Sequence, residues 1–203
     1  MTVTAVLLAA GASTRFGLRN KLLAEVGGEA LVARVARALL RSRAAKILVV
    51  TPPDGSPIST ALGALPFGSR IALIANPDPV RGIASSIATG VRSVDAASDG
   101  VMIVPGDMPD LDCGHFDRLL AAFDVKGGDA LVYAATADGR QRNPVVWPRR
   151  LFGALAALQG DIGGKPLIAA ERDMRPDRVV AVTFDDEAVF RDVDRPEDLA
   201  RRT

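Results

Sequence analysis

Three groups of residues carry most of the chemistry available to this sequence. The first is Leu8-Ala9-Ala10-Gly11-Ala12-Ser13-Thr14-Arg15-Phe16-Gly17, followed by Lys21. An apolar run leads straight into small residues, which lets backbone N–H groups approach a phosphate closely. Arg15 and Lys21 add fixed positive charge where a polyphosphate would lie. The pattern is neither of the two commonest phosphate loops. A Walker A loop needs Lys directly after its second glycine, and here Leu18 follows Gly17. A dinucleotide fingerprint needs later glycines where Ser13 and Phe16 stand.

The second group is acidic. Val104-Pro105-Gly106-Asp107-Met108-Pro109-Asp110 sets a carboxylate just past an apolar run, between prolines that fix the backbone. A hard divalent cation on a nucleotide takes one or two carboxylates plus phosphate oxygens and waters. Asp107 fits that role, or it is a turn residue; Asp110 orders the turn or caps the next helix. Asp194, before Arg195 and Pro196, reads as a helix N-cap with Pro196 near N1. It is also the available second metal ligand, because one carboxylate oxygen can cap while the other faces an ion.

The third group is polar and glycine-rich. In the stretch from Asn76 to Ser86, Gly82, Ser85 and Ser86 open a helix and could meet a base edge or ribose; simple capping accounts for the serines equally well. Gly160-Asp161-Ile162-Gly163-Gly164-Lys165 places a carboxylate and a cation around a flexible turn before a helix. That turn is a second anion site or a solvated loop. Arg140, Arg142 and Asn143 stand on a hairpin rim before it. Cys113 and His115 read as the start of a helix, and Trp147 and Phe152 as core.

Positioning these groups requires a frame. With 203 residues, 48% hydrophobic and 24% charged, the chain suits one domain with a full core. A net charge of +1 gives no bulk attraction to nucleic acid or an anionic membrane. One cysteine and one histidine exclude an internal disulfide, a Cys-rich metal site and a multi-His zinc centre. The apolar stretch 5–10 lacks a basic flank and is too short for a signal core, and no run approaches a membrane span. The expected location is the cytoplasm. Strands are expected at 3–8, 46–50, 70–75, 100–104, 130–135, 143–147 and 179–183. Helices are expected at 29–43, 56–65, 83–94, 112–123, 148–158 and 165–171. Such alternation indicates βαβ crossovers and a mostly parallel, twisted sheet with helices on both faces. Ligands of such sheets sit beyond the carboxyl ends of the strands, where the three groups should converge.

Taken in order, the 8–23 segment, Gly82-Ile83-Ala84-Ser85-Ser86, Gly106-Asp107-Met108-Pro109, Asn143-Pro144, Gly160-Asp161-Ile162-Gly163 and Asp192–Leu199 resemble the MobA-like nucleotidyltransferases. The nearest likeness is to the molybdenum cofactor cytidylyltransferases. The resemblance implies a single Rossmann-like, three-layer α/β/α domain over 1–203 and transfer of a nucleotidyl group from an NTP with Mg²⁺. It implies that Leu8, Ala9, Ala10, Gly11, Arg15 and Lys21 cradle the triphosphate, and that Gly82, Ser85 and Ser86 lie near base and ribose. Asp107 and Asp194 would hold the metal; Arg15, Lys21 and Asp107 would be catalytic; Asn143, Asp161 and Lys165 would face the acceptor. CTP and molybdopterin-bound molybdenum are the implied substrates, and a molybdenum hydroxylase or its chaperone the implied protein partner. A guanylyl- or sugar-phosphate transferase, an NADPH-binding oxidoreductase and a non-catalytic cofactor binder are the alternatives.

Overall fold

The computed structural model describes residues 1–11, 16, 20–63, 65, 70–193, 195 and 197–200. Arg15 and Asp194 therefore lie outside the described residues. In chain order the elements are β1 (Val3–Leu8), a 3-10 turn at Lys21–Leu23, β2 (Glu25–Val26), β3 (Glu29–Ala30) and α1 (Leu31–Arg41). Then come β4 (Lys46–Thr51), α2 (Ser56–Leu62), β5 (Ile71–Ala75), a 3-10 turn at Pro79–Arg81, α3 (Ile83–Arg92) and β6 (Gly100–Pro105). The last part holds α4 (Cys113–Val125), β7 (Leu131–Thr136), β8 (Gln141–Pro148), α5 (Phe152–Ala156), α6 (Lys165–Met174), β9 (Val179–Phe184) and α7 (Glu197–Ala200).

Strands β1, β4 and β6 bury almost every side chain, so their sheet must be covered on both faces. Seven strands form that sheet in the order β5-β4-β1-β6-β8-β7-β9. β8 runs antiparallel to both of its neighbours, and every other described pairing in this sheet is parallel. One face packs Val32, Val35 and Leu39 of α1, Ile58 of α2, and Phe116 and Leu119 of α4 into a core. The other packs Ile87 and Val91 of α3, Leu155 of α5 and Ile168 of α6. Three layers result, as expected. α3 lies so close to the sheet that a Cβ on Gly90 would stand 2.4 Å from Val6 Cγ1.

Some expectations shift. The segment expected to be helical from residue 29 first forms the β2–β3 hairpin, because Gly27 and Gly28 turn with φ of +61° and +78°. Pro148 closes β8 with extended backbone, so the expected helix from 148 begins as a 3-10 turn at Arg149 and ends at Ala156. The strand at Val179–Phe184 pairs only with β7 among the described residues and is a half-buried edge. No described helix is long and apolar enough to cross a membrane.

Candidate active site

At the carboxyl ends of β1 and β6 lies a cavity of about 800 Å³. Its floor is Leu8, Ala10, Gly11, Lys21, Gly106 and Asp107, and its far wall is Pro79–Ile83 with Ser86, Gly160 and Asp161. Described members of each of the three groups read from the sequence meet here.

The floor follows from how β1 and β6 end. Gly106 N–H donates to the Leu8 carbonyl at 3.1 Å, carrying the sheet one step past Pro105 and turning Asp107 toward the cavity. A Cβ on Gly106 would meet the Leu8 carbonyl oxygen at 2.8 Å, so this approach needs glycine. Two further bonds hold the turn. Val193 N–H donates to the Asp107 carbonyl at 3.0 Å, and Arg34 Nε of α1 donates to the Pro109 carbonyl at 2.9 Å. Asn20 caps the 3-10 turn with its Oδ1 accepting from Leu22 N–H at 3.0 Å, which sets Lys21 beside the floor. Lys21 Nζ then donates to Asp107 Oδ2 at 2.6 Å, with the two side chains 17% and 19% exposed. A charge pair so sheltered is screened far less than one in open solvent.

The far wall is two loops locked together. Asp161 Oδ1 accepts from Ile83 N–H at 3.2 Å, and the Gly160 carbonyl accepts from Ala84 N–H at 3.2 Å. The start of α3 is thus capped by a loop 78 residues away. Gly82, at φ +85° and ψ −176°, makes the contact feasible; a Cβ there would sit 2.7 Å from the Gly160 carbonyl. Behind the wall, Asn76 is buried and donates from Nδ2 to Ser85 Oγ at 2.9 Å and Ser86 Oγ at 3.1 Å. Ser85 in turn donates to the Gly82 carbonyl at 2.9 Å.

Several expected roles move. The Ala9 N–H donates to the Val50 carbonyl at 2.8 Å, so it serves the sheet and the small-residue lining starts at Ala10. Ser85 is tied into the wall and is absent from the cavity lining, whereas Ser86 reaches it. Asp161 lines the cavity, yet one of its oxygens caps α3. Asn143 is exposed in the irregular part of β8, and Lys165 opens α6; neither lines the cavity. Asp112, the expected first residue of its helix, caps α4 in a capping box with His115. Sequence reasoning missed Asn76, Arg34 and the backbone of Val193. Only Asn76 left a signal, as an amide between a strand and a proline.

Phe16 belongs to the cradle segment, lines the cavity and packs against a small cluster of Val26, Leu31 and Val193. No three His, Cys, Asp or Glu side chains converge among the described residues. Asp107 is the one carboxylate at the floor among the described residues, which suits a cation that completes its shell with phosphate oxygens and water.

A cavity beyond the carboxyl ends of a parallel sheet, with a small-residue loop and a cation at its floor, is the arrangement of α/β nucleotide-binding enzymes. The chain belongs to the MobA-like NTP transferase domain family, whose model matches residues 5–179, and is a nucleotidyltransferase. It is 28% identical over 203 residues to the purine catabolism protein PucB of Bacillus subtilis, covering 97% of this chain and 95% of that one. It is 30% identical over 208 residues to a molybdenum cofactor guanylyltransferase of Burkholderia vietnamiensis, covering 98% and 94%. The bifunctional protein GlmU of Sorangium cellulosum is 31% identical over 175 residues, but the chain spans only 36% of its length. The crystal structure of Rv0371c from Mycobacterium tuberculosis H37Rv superposes with a TM-score of 0.79 at 25% identity, covering 99% of this chain and 96% of that one.

Proposed function

We propose that this chain, acting as one domain in the cytoplasm, transfers CMP from CTP to the phosphate of molybdenum-carrying molybdopterin. An acceptor phosphate oxygen bonds to the α-phosphorus, the α–β bridge breaks, and pyrophosphate leaves. The observation that carries the reading is the sheltered Lys21–Asp107 pair at the floor of a cavity edged by Ala10 and Gly11. A phosphate nucleophile is ionised at neutral pH, so no general base is needed. Catalysis then rests on alignment and on charge placed where it develops.

Lys21 would follow the departing pyrophosphate, joined by Arg15 of the same cradle. Asp107 would hold Mg²⁺ with Asp194 and the phosphates. When bound, the ion neutralises phosphate charge and orients the reacting oxygens. Val193 would hold the Asp107 carbonyl, and Arg34 the Pro109 carbonyl of the same turn, while this happens. Transfer of GMP is a second reading, favoured by the 30% identity to a molybdenum cofactor guanylyltransferase. A molybdenum hydroxylase or its chaperone is the proposed receiver of the product.

The test is pyrophosphate release with CTP, Mg²⁺ and molybdopterin. Asp107→Ala should abolish turnover, and Lys21→Ala should cut it about 100-fold or more while the fold persists. Near wild-type turnover in Asp107→Ala would sink the metal assignment. Oxidation of NADPH in place of pyrophosphate release would replace the reaction itself.

A further inference from the structure

The two charges at the cavity floor come from segments 86 residues apart, yet they meet at 2.6 Å. Helix α1 is attached to both segments. On the lysine side, the 3-10 turn of Lys21 ends at Ala24, whose carbonyl accepts from Leu31 N–H at 2.9 Å. Leu31 opens α1, so its N–H has no partner within the helix, and Ala30 before it supplies no side-chain cap. The bond to Ala24 therefore satisfies the helix and anchors the lysine turn at once. On the carboxylate side, Arg34 Nε donates to the Pro109 carbonyl at 2.9 Å. Leu31 and Arg34, at i and i+3, share a face of α1 and lie about 4.5 Å apart along its axis. Leu22 of one segment and Met108 and Leu111 of the other are buried in the core that holds Val35 and Leu39 of the same helix.

Different partners grip the turn around Asp107 at its start, middle and end. Gly106 N–H donates to the Leu8 carbonyl, Val193 N–H to the Asp107 carbonyl, and Arg34 Nε to the Pro109 carbonyl. Of these three bonds only the last is made by a side chain, and a charged donor holds a carbonyl more strongly than a neutral one. Arg34 does not line the cavity, so it reaches the chemistry through the turn that it holds. We propose that Arg34 is a positioning residue that fixes the Asp107 turn to α1 and so sets how well the carboxylate holds a divalent cation beside Lys21. Small shifts of the turn matter, because a binding constellation tolerates errors of only about 0.5 Å. The proposal rests on the metal-dependent reading above and adds to it a residue that touches neither nucleotide nor metal.

Calorimetry on the full chain measures CTP binding with and without Mg²⁺, with GTP in parallel, and the ratio of the two dissociation constants is the gain due to the metal. Mg²⁺ should tighten binding to the wild type about tenfold or more, and Arg34→Met should lose most of that gain. Methionine keeps the apolar stem and its packing, and thermal melts check that the variant folds. Metal-free affinity should be unchanged, because Ala10, Gly11 and Lys21 stay on the cavity. Arg34→Gln places an amide nitrogen as far along the side chain as Nε and should bring the gain back to within about threefold of wild type. Arg37→Met removes the ion pair with Glu29 from the same helix, and should lower Tm while the gain survives. A wild-type gain in Arg34→Met would overturn the role of Arg34 and leave the metal reading standing. So would an Arg34→Gln variant no better than Arg34→Met, or loss of the gain in Arg37→Met, because any injury to α1 would then suffice. A wild type indifferent to Mg²⁺, or an Asp107→Ala variant that keeps the gain, would overturn the metal reading and this role with it. The expected pattern in a protein that transfers no CMP would overturn the proposed reaction alone.

Discussion

Replacing Gly82 with alanine should damage the site more than the removal of any single polar contact in its far wall. Its φ of +85° with ψ of −176° is a region that side chains other than hydrogen occupy at about 1–3 kcal/mol. The new Cβ would also lie 2.7 Å from the carbonyl carbon and oxygen of Gly160 and 2.8 Å from Asp161 Cα. All three are backbone atoms and cannot rotate away. Reaching ordinary contact distance moves the 160–161 loop by roughly 0.7 Å or more. The bonds from Ile83 and Ala84 to that loop, each 3.2 Å now, would then be broken. Each is worth about 1 kcal/mol, which brings the total to about 3–5 kcal/mol. For a protein of this size that lowers Tm by roughly 6–20 °C.

The assay pairs thermal denaturation with nucleotide affinity and uses Gly139→Ala as its reference. Gly139 also has a positive φ, +83°, but its Cβ would meet nothing within 4 Å. Gly139→Ala therefore isolates backbone strain, about 1–2 kcal/mol, and leaves the cavity alone. Gly82→Ala should show the larger fall in Tm and about tenfold weaker CTP binding as well. A Gly82→Ala protein that melts no lower than Gly139→Ala and binds CTP normally would refute the reasoning.

Two further outcomes separate stability from function. Burial pushes the Asp112 carboxyl up, but the His115 N–H, the His115 ring and the Gly114 N–H outweigh it and hold the group below the ordinary carboxylate value. Its folded pKa is thus depressed, so its stabilisation is full above about pH 4 and is lost as pH falls through the lower folded value. Asp112→Ala should cost about 1 kcal/mol at pH 7, with the Tm gap to wild type closing below about pH 4. Glu171, 4% exposed, pairs with Arg150 Nη2 at 2.7 Å, and its hydrogen bond is the main cause that raises the Arg150 pKa. Asp129, which also pairs with Arg150, precedes β7 at the end of the sheet opposite the cavity. Glu171→Ala should cost about 3 kcal/mol and leave CTP affinity unchanged, as paired melting and binding curves will reveal.

The sequence makes some of this architecture visible and hides the rest for identifiable reasons. Apolar runs such as Val3–Leu8 and Gly100–Pro105 announce buried strands, because a strand covered on both faces leaves no polar alternation. The places of Ala10, Gly11 and Asp107 on the cavity are visible because small residues and prolines constrain backbone locally. The direction of β8 is not, since an apolar strand reads the same whichever way it runs. The lock between Gly82 and the 160–161 loop joins distant segments, and only the two glycines hint at it. The clamp from Val193 on Asp107 is a bond between main-chain atoms, which almost any residue type would permit. Asp161 hides a second task for a related reason: a carboxylate near a glycine turn looks ready for a ligand, and nothing local shows that one of its oxygens also caps a distant helix.

The cluster of Val26, Leu31 and Val193, with Phe16 and Leu199 packed on it, sets an order of events during synthesis. Phe16 leaves the ribosome long before Leu199, yet each packs against the same small core. The central strands can pair well before the chain is finished, as domains commonly do on the ribosome. The cavity floor cannot, because the bond to the Asp107 carbonyl is supplied by Val193. A nascent chain therefore acquires its sheet first and its clamped floor last. Half-made molecules in the cell would be folded in the main and still unable to consume nucleotide.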